Sequence, residues 1–186
     1  MKLKKGNNAI DFTIQDIFGN PIKLSDYKGK KIYLTFMRHV KCPFCNVRVH
    51  RLMGKRLALE QSGVKVISFF ESSPEVIKSS VLHQGLMPWP LIGDLEKKIY
   101  KIYGVEESVI KMMKTIFAAK NMGETSSLAK KLDTAKQEDK THSHTLIPAD
   151  FFINEDFTIE RAYYGAHSDD HIEIDEILKF AGVKIY

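Results

Sequence analysis

Cys42-Pro43-Phe44-Cys45 contains both cysteines of the chain, three positions apart. On a helix that spacing sets the two sulfurs one turn from each other, near enough for one thiol to attack a mixed disulfide on the other and release the bound partner. Three chemistries suit such a pair: dithiol-disulfide exchange, half of a metal site, or two unrelated core thiols. The flanking residues favour the first. Residues 31–37 are mostly apolar, β-branched or aromatic and read as a strand buried on both faces. Pro43 suits a first helical turn, and Cys45, Val49, Leu52, Met53 and Leu57 recur at helical spacing up to Gly63. Cys42 then opens the helix, where the macrodipole and unpaired backbone N–H groups stabilise a thiolate. Arg38, His39 and Lys41 add positive charge beside it. Cys45, a turn deeper on the apolar stripe, is the resolving thiol, and Pro43 stiffens the turn without contributing an N–H donor.

A metal-binding module is the alternative from another class. Cys42, Cys45, His39 and one of His142 or His144 would make a Cys2His2 set, but the spacing is not a finger pattern and a second cysteine pair is missing. The other histidines read blandly: His50 and His83 as helix-surface residues, His167 and His171 as helix-entry residues near Asp169 and Asp170.

The positive charge is concentrated where the thiols are. Lys28, Lys30, Lys31, Arg38, Lys41, Arg48, Arg51, Lys55 and Arg56 fall between Tyr27 and Leu59 with no acidic residue among them. The rest of the chain holds 19 basic against 23 acidic side chains, so the formal net charge of +5 comes from this one segment. A nucleic-acid surface would need aromatic side chains beside the charges, and Tyr33, Phe36 and Phe44 lie mainly in the buried strand pattern.

The elements that must hold this segment follow from alternation, turns and length. With 186 residues the chain is read as one domain, 1–186, able to bury a core without disulfides. Residues 11–16 alternate as a strand, and a turn at Phe18-Gly19-Asn20-Pro21 leads to a second strand at 22–24, a hairpin. Residues 64–70 read as another buried strand, Ser73-Pro74-Glu75 as a helix start, 89–92 as a strand and 94–103 as a helix. Strand, helix, strand, helix implies a right-handed crossover and a parallel pair inside an α/β sheet. Residues 151–153 and 158–163 flank a turn at 154–157 and read as a second hairpin, and 171–180 close the chain as a helix. The stretch of about 105–145 exceeds a compact connection. Its first part places Val109, Ile110, Met113, Ile116 and Phe117 in a stripe expected to pack on the domain; from Lys120 to Thr145 a short helix and a mobile polar loop are expected. No apolar run approaches the length of a transmembrane helix, and Gly6-Asn7-Asn8 interrupts any signal-peptide pattern. Two cysteines and no disulfide framework make the cytoplasm the default compartment.

Longer motifs carry a resemblance. Asp11-Phe12-Thr13-Ile14-Gln15-Asp16, with Gly19, Ile22, Leu24-Ser25-Asp26-Tyr27 and Gly29-Lys30, resembles the opening of the AhpC/TSA and peroxiredoxin-like families of the thioredoxin superfamily. Phe36-x-Arg38-x-x-x-Cys42-Pro43-x-Cys45 is similar to the branch with a Cys-x-x-Cys motif. Ile147-Pro148-Ala149-Asp150-Phe151-Phe152-Ile153, then Ile159, Tyr164-Gly165 and Asp170-His171-Ile172, is similar to its C-terminal half. The resemblance implies a thioredoxin-like fold, a central mixed sheet flanked by helices, with an N-terminal β-hairpin and an insertion at about 105–145. It also implies a cis peptide bond before Pro148, pressing that loop against the active-site disulfide.

The activity implied is thiol-disulfide oxidoreduction through Cys42 and Cys45, with a thiol peroxidase using Cys42 as the enzyme alternative. The expected site residues are Cys42, Cys45, Arg38, His39 and Pro148, with no bound cofactor or metal. Expected partners are a thiol reductant, either a thioredoxin-like protein or glutathione, and a disulfide or peroxide substrate. Glutathione enters because Cys-Pro-Phe-Cys is also similar to the glutaredoxin active site. A homodimer is a further candidate assembly, and neither nucleic acid nor membrane is an expected partner. Two positions depart from the peroxiredoxin pattern: Thr35 and His39 stand where a typical member has a Pro and a Thr. The Arg near the start of the later strand is also absent, with Ile147-Pro148-Ala149 in its place. A peroxidase must stabilise charge on separating oxygens, so these departures weigh toward disulfide exchange.

Overall fold

The computed structural model describes residues 1–80, 87–119 and 143–184, with backbone alone for 116–119. Two short strands, β1 (Thr13–Gln15) and β2 (Pro21–Lys23), pair antiparallel as the N-terminal hairpin. Asp16 makes the turn: its Oδ1 accepts from the N–H groups of Phe18 at 2.8 Å and Asn20 at 2.9 Å, and Gly19 supplies the φ of 88°.

The central sheet uses β3 (Ile32–Phe36), β4 (Lys65–Phe70), β5 (Leu91–Gly93), β6 (Ala149–Ile153) and β7 (Ile159–Tyr164), in the order β5-β4-β3-β6-β7. β3, β4 and β5 run parallel, while β6 and β7 are antiparallel additions, so the sheet is mixed. A 3-10 turn at Leu24–Tyr27 follows the hairpin, and the α-helices among the described residues are α1 (Pro43–Met53), α2 (Arg56–Ser62), α3 (Pro74–Ser79), α4 (Lys98–Ile102), α5 (Val109–Ala119) and α6 (Ile174–Phe180).

The alternation along β3 builds two cores. Tyr33 points to the layer of Val49 and Leu52 from α1 and Ile177 and Leu178 from α6. Ile32, Leu34 and Phe36 point to the other layer, with Ile99, Tyr100 and Tyr103 and with Phe12, Ile22 and Leu24 from the hairpin region. All five β3 residues are buried, as a central strand covered on both faces requires.

Four expectations are corrected. The helix read as continuous from Pro43 to Gly63 breaks at Gly54 and Lys55, where the residue with the highest helix cost short of proline ends α1. The described part of the stripe on α5 does not pack inward: Val109, Ile110 and Met113 are 63%, 73% and 57% exposed, while the Ile116 and Phe117 side chains lie outside the described residues. The polar face of α5 faces the body instead, since Lys111 Nζ donates to the Gly165 carbonyl at 2.7 Å and Thr115 Oγ1 accepts from Ser168 N–H at 3.1 Å. Third, no cis peptide bond occurs in the described residues, and Ile147–Pro148 is trans. Ile147 N–H donates to Glu106 O and Gly165 N–H donates to Pro148 O, so the chain runs extended into β6, and a proline at a strand head loses no ladder bond. Fourth, His171 is buried and precedes α6 rather than entering it. His83, His142 and the stretch 120–142 lie outside the described residues. Among the described residues no helix is long and apolar enough to cross a membrane.

Candidate active site

The loop from β3 to α1 brings the expected side chains together because it is short. Met37 N–H donates to Phe69 O, the last ladder contact with β4, and five residues later Cys42 opens α1. Cys42 is the N-cap residue with extended backbone (φ −68°, ψ 115°), its carbonyl accepts the first helical bond from Asn46 N–H at 3.1 Å, and Pro43 follows at the first helical position. Cys45 lies one turn on, and both thiols are free and 1% exposed.

Arg38 fixes the site. Its Nη1 donates to Cys42 Sγ at 3.3 Å and its Nη2 to the His144 carbonyl at 3.2 Å. The segment before Pro148 therefore does reach the redox pair, through a backbone carbonyl and with a trans proline. His39 is buried in the same loop, its carbonyl accepting from Cys42 N–H at 2.9 Å, and Lys41 is half-buried beside it. Pro148 is buried at the head of β6, one strand over.

The two thiols are electrostatically unlike. A hydrogen bond from the Cys45 thiol stabilises the Cys42 thiolate, burial opposes it, and the Arg38 guanidinium with the Phe44 and Cys45 backbone amides wins, bringing Cys42 down to about 6. Burial pushes Cys45 far up, and the neighbouring Cys42 thiolate pushes it further. Asp169, on the turn after β7, is raised to about 6, first by burial and also by the Cys42 charge, against His171 and Arg51. A thiolate beside a protonated thiol, with a fixed cation on its outer side, is equipped to attack an electrophilic sulfur or oxygen.

Behind α1 lies a polar cluster that spacing alone did not reveal. Asp150 on β6 is fully buried and accepts from Tyr33 Oη at 3.0 Å and Ile172 N–H at 2.8 Å, with His171 Nδ1 at 3.0 Å. Arg48 on α1 donates to Tyr33 Oη at 2.9 Å and to Ile172 O at 2.5 Å. Burial works against ionisation of Asp150, but His171 and Arg48 outweigh it and hold the carboxyl well below the usual range. The only trace in the sequence is a lone charge inside each apolar pattern: Asp150 in Ala-Asp-Phe-Phe-Ile, Arg48 in the stripe of α1. Among the described residues no group of three or more His, Cys, Asp or Glu side chains is placed to hold a metal ion, and His144 enters the site through its carbonyl.

The family model described as AhpC/TSA family matches residues 5–162, most of the chain. The chain belongs to the AhpC/TSA family. It is 26% identical over 103 residues to peroxiredoxin Bcp of Escherichia coli strain K12, covering 55% of this chain and 65% of that protein. It is also 26% identical over 104 residues to the thiol-disulfide oxidoreductase ResA of Bacillus thuringiensis subsp. konkukian, covering 56% and 60%. The matches thus span less than two thirds of these relatives' lengths. In three dimensions the chain is similar to peroxidoxin BcpB from Mycobacterium tuberculosis, at a TM-score of 0.66 and 14% identity over 97% of both chains. That likeness shows a shared thioredoxin-like fold.

Proposed function

We propose that this AhpC/TSA protein is a thiol-disulfide oxidoreductase of peroxiredoxin-like type in which Cys42 attacks and Cys45 resolves. The observation that carries the reading is the asymmetry of the pair: Cys42 bears the Arg38 contact at 3.3 Å and a lowered pKa, Cys45 a raised one. The Cys42 thiolate attacks one sulfur of a substrate disulfide, the S–S bond breaks, and the departing thiolate takes a proton. Cys45 then loses its proton and attacks Cys42 Sγ, releasing the second substrate half as a thiol and leaving a Cys42–Cys45 disulfide. The substrate gains two electrons, the protein loses two, and a thiol reductant, a thioredoxin-like protein or glutathione, restores the dithiol. Arg38, and His39 in the same loop, keep the site electropositive, and Pro148 heads the strand that borders it.

The peroxidase reading uses the same Cys42 and is favoured by Arg38, whose guanidinium could stabilise charge on the separating peroxide oxygens. There the thiolate takes the terminal oxygen to form a sulfenic acid and an alcohol or water, and Cys45 condenses with it, releasing water. The reduced protein offered hydrogen peroxide, an organic peroxide and a small disulfide side by side decides. Oxidation of both thiols fastest by the disulfide supports exchange, faster oxidation by either peroxide replaces it with the peroxidase, and inertness to all three overturns both.

A further inference from the structure

Arg38 can hold the Cys42 sulfur only if something holds Arg38. Its Nη2 anchor is the His144 carbonyl, a backbone atom of the strap 143–147, and that strap is fixed by groups with no part in the chemistry proposed above. Glu71, immediately after β4, is fully buried. Its Oε1 accepts from Ser143 N–H at 2.8 Å and pairs with Lys97 Nζ at 2.8 Å, while its own N–H donates to the Arg38 carbonyl at 3.3 Å. Lys97 also pairs with Glu107, whose Oε2 accepts from Thr145 Oγ1 at 3.4 Å. Ser108 N–H donates to Thr145 O at 2.8 Å, closing the strap onto the start of α5.

Two features show that this arrangement is imposed. Glu71 is a carboxylate with no exposure, and its Oε2 has no hydrogen-bond partner among the described residues; a buried charge so situated depends on its cation. Lys97 has φ 57°, the left-handed region that a lysine rarely adopts. It is held there by its N–H bond to Asp94 O and by Asp94, whose carboxylate accepts from the N–H groups of Lys98 and Ile99. The ammonium is thereby turned inward and is 22% exposed.

We propose that Glu71 and Lys97 are positioning residues for the redox site: their ion pair holds the 143–147 strap against Arg38 and so keeps the guanidinium on the Cys42 sulfur. The inference rests on Cys42 being the nucleophile and deepens that reading. Among the described residues, the charged and titratable groups facing Cys42 include Arg38 from the loop, Cys45 from α1 and Asp169 from the turn after β7. Those facing Glu71 are Lys97 and Tyr100, with Glu107 beyond Lys97.

The test is the pH dependence of Cys42 alkylation by iodoacetamide in the reduced full chain, followed by peptide mass. Lys97→Met and Glu71→Gln should each raise the midpoint and slow alkylation near pH 6.5 by about 1.5- to threefold, a pKa rise of half to one unit, with the rate restored near pH 9. Lys97→Arg should restore the wild-type midpoint. Lys98→Met, which loses only the exposed pair with Glu96, should leave it in place. Lys97→Met added to Arg38→Met should move the midpoint no further than Arg38→Met alone, because both act through one contact. Should Glu71→Gln fail to fold, Lys97→Met carries the test from a partly exposed position. A low wild-type midpoint on Cys42 that Lys97→Met leaves unchanged, or a shift that adds in full to that of Arg38→Met, overturns the positioning role. A wild-type Cys42 with an ordinary thiol midpoint overturns the nucleophile assignment instead.

Discussion

Cys42 and Cys45 have the same exposure, so their difference is one of partners. Cys42 faces the helix N-terminus, the Cys45 thiol and Arg38; Cys45 faces the core and a neighbouring negative charge. Cys45→Ser should become trapped as a mixed disulfide through Cys42 when given a small disulfide, whereas Cys42→Ser should react slowly or not at all; intact mass after quenching in acid separates the two. Opposite charges on the two sides of Cys42 should move its titration in opposite directions. Arg38→Met removes the cation and should raise the alkylation midpoint. Asp169→Asn removes a nearby carboxylate and should lower it. The same carboxyl has a folded pKa of about 6, above the ordinary value of about 3.9, so the folded state binds the extra proton between those values. Its contribution is therefore complete below about pH 4 and lost as pH rises through 6, and Asp169→Asn should gain stability over wild type above that window in urea unfolding.

At the level of elements, alternation and turn chemistry located every strand of the described fold, because a strand buried on both faces writes a continuous apolar run and a half-buried one writes a period of two. β3 and β4 were legible for that reason, and so was the Cys42 N-cap, fixed by Pro43 and the end of β3. Less legible was anything set by tertiary contact. The α1–α2 break depends on one glycine in a pattern that otherwise continues. The inward face of α5 is chosen by Lys111 and Thr115 against the 165–168 turn, not by the exposed Val109, Ile110 and Met113. Glu71 and Lys97 are far apart in sequence and meet only because β4 and the start of α4 end on the same side of the sheet. With Ile110 73% exposed, Ile110→Ser should change unfolding free energy by less than about 0.5 kcal/mol; a loss of about 2 kcal/mol or more in urea titration would show that this face is covered after all.

Across the whole molecule, Asp150 joins three layers that hydrophobic contact alone would leave free to slide: the sheet through β6 and Tyr33, α1 through Arg48, and the approach to α6 through His171 and Ile172. Removing one member leaves the others as uncompensated buried charge, so Asp150→Ala should cost about 3–5 kcal/mol in denaturant unfolding. A carboxyl held far below its unfolded pKa contributes fully above about pH 4 and loses that contribution as pH falls through its folded value. The stability gap between wild type and Asp150→Ala should accordingly stay constant from about pH 5 to 8 and narrow only in strong acid.

The burial of Cys42 to 1% exposure has a kinetic consequence. A nucleophile that is ionised yet covered reacts only during openings of the cover, here Arg38 and the 143–147 strap, so the observed rate is the product of an opening equilibrium and the intrinsic reactivity. With a small or dilute reagent, opening and reclosing run ahead of capture and the rate rises in proportion to reagent. With a fast, bulky maleimide at high concentration, capture outruns reclosing and the rate should level off at the opening rate, independent of reagent and unmoved by pH above the Cys42 midpoint. Stopped-flow labelling across a wide reagent range reads this directly. A plateau would give the frequency at which the resting site admits a partner, and strict proportionality throughout would mean that the covering atoms move aside faster than any reagent can probe.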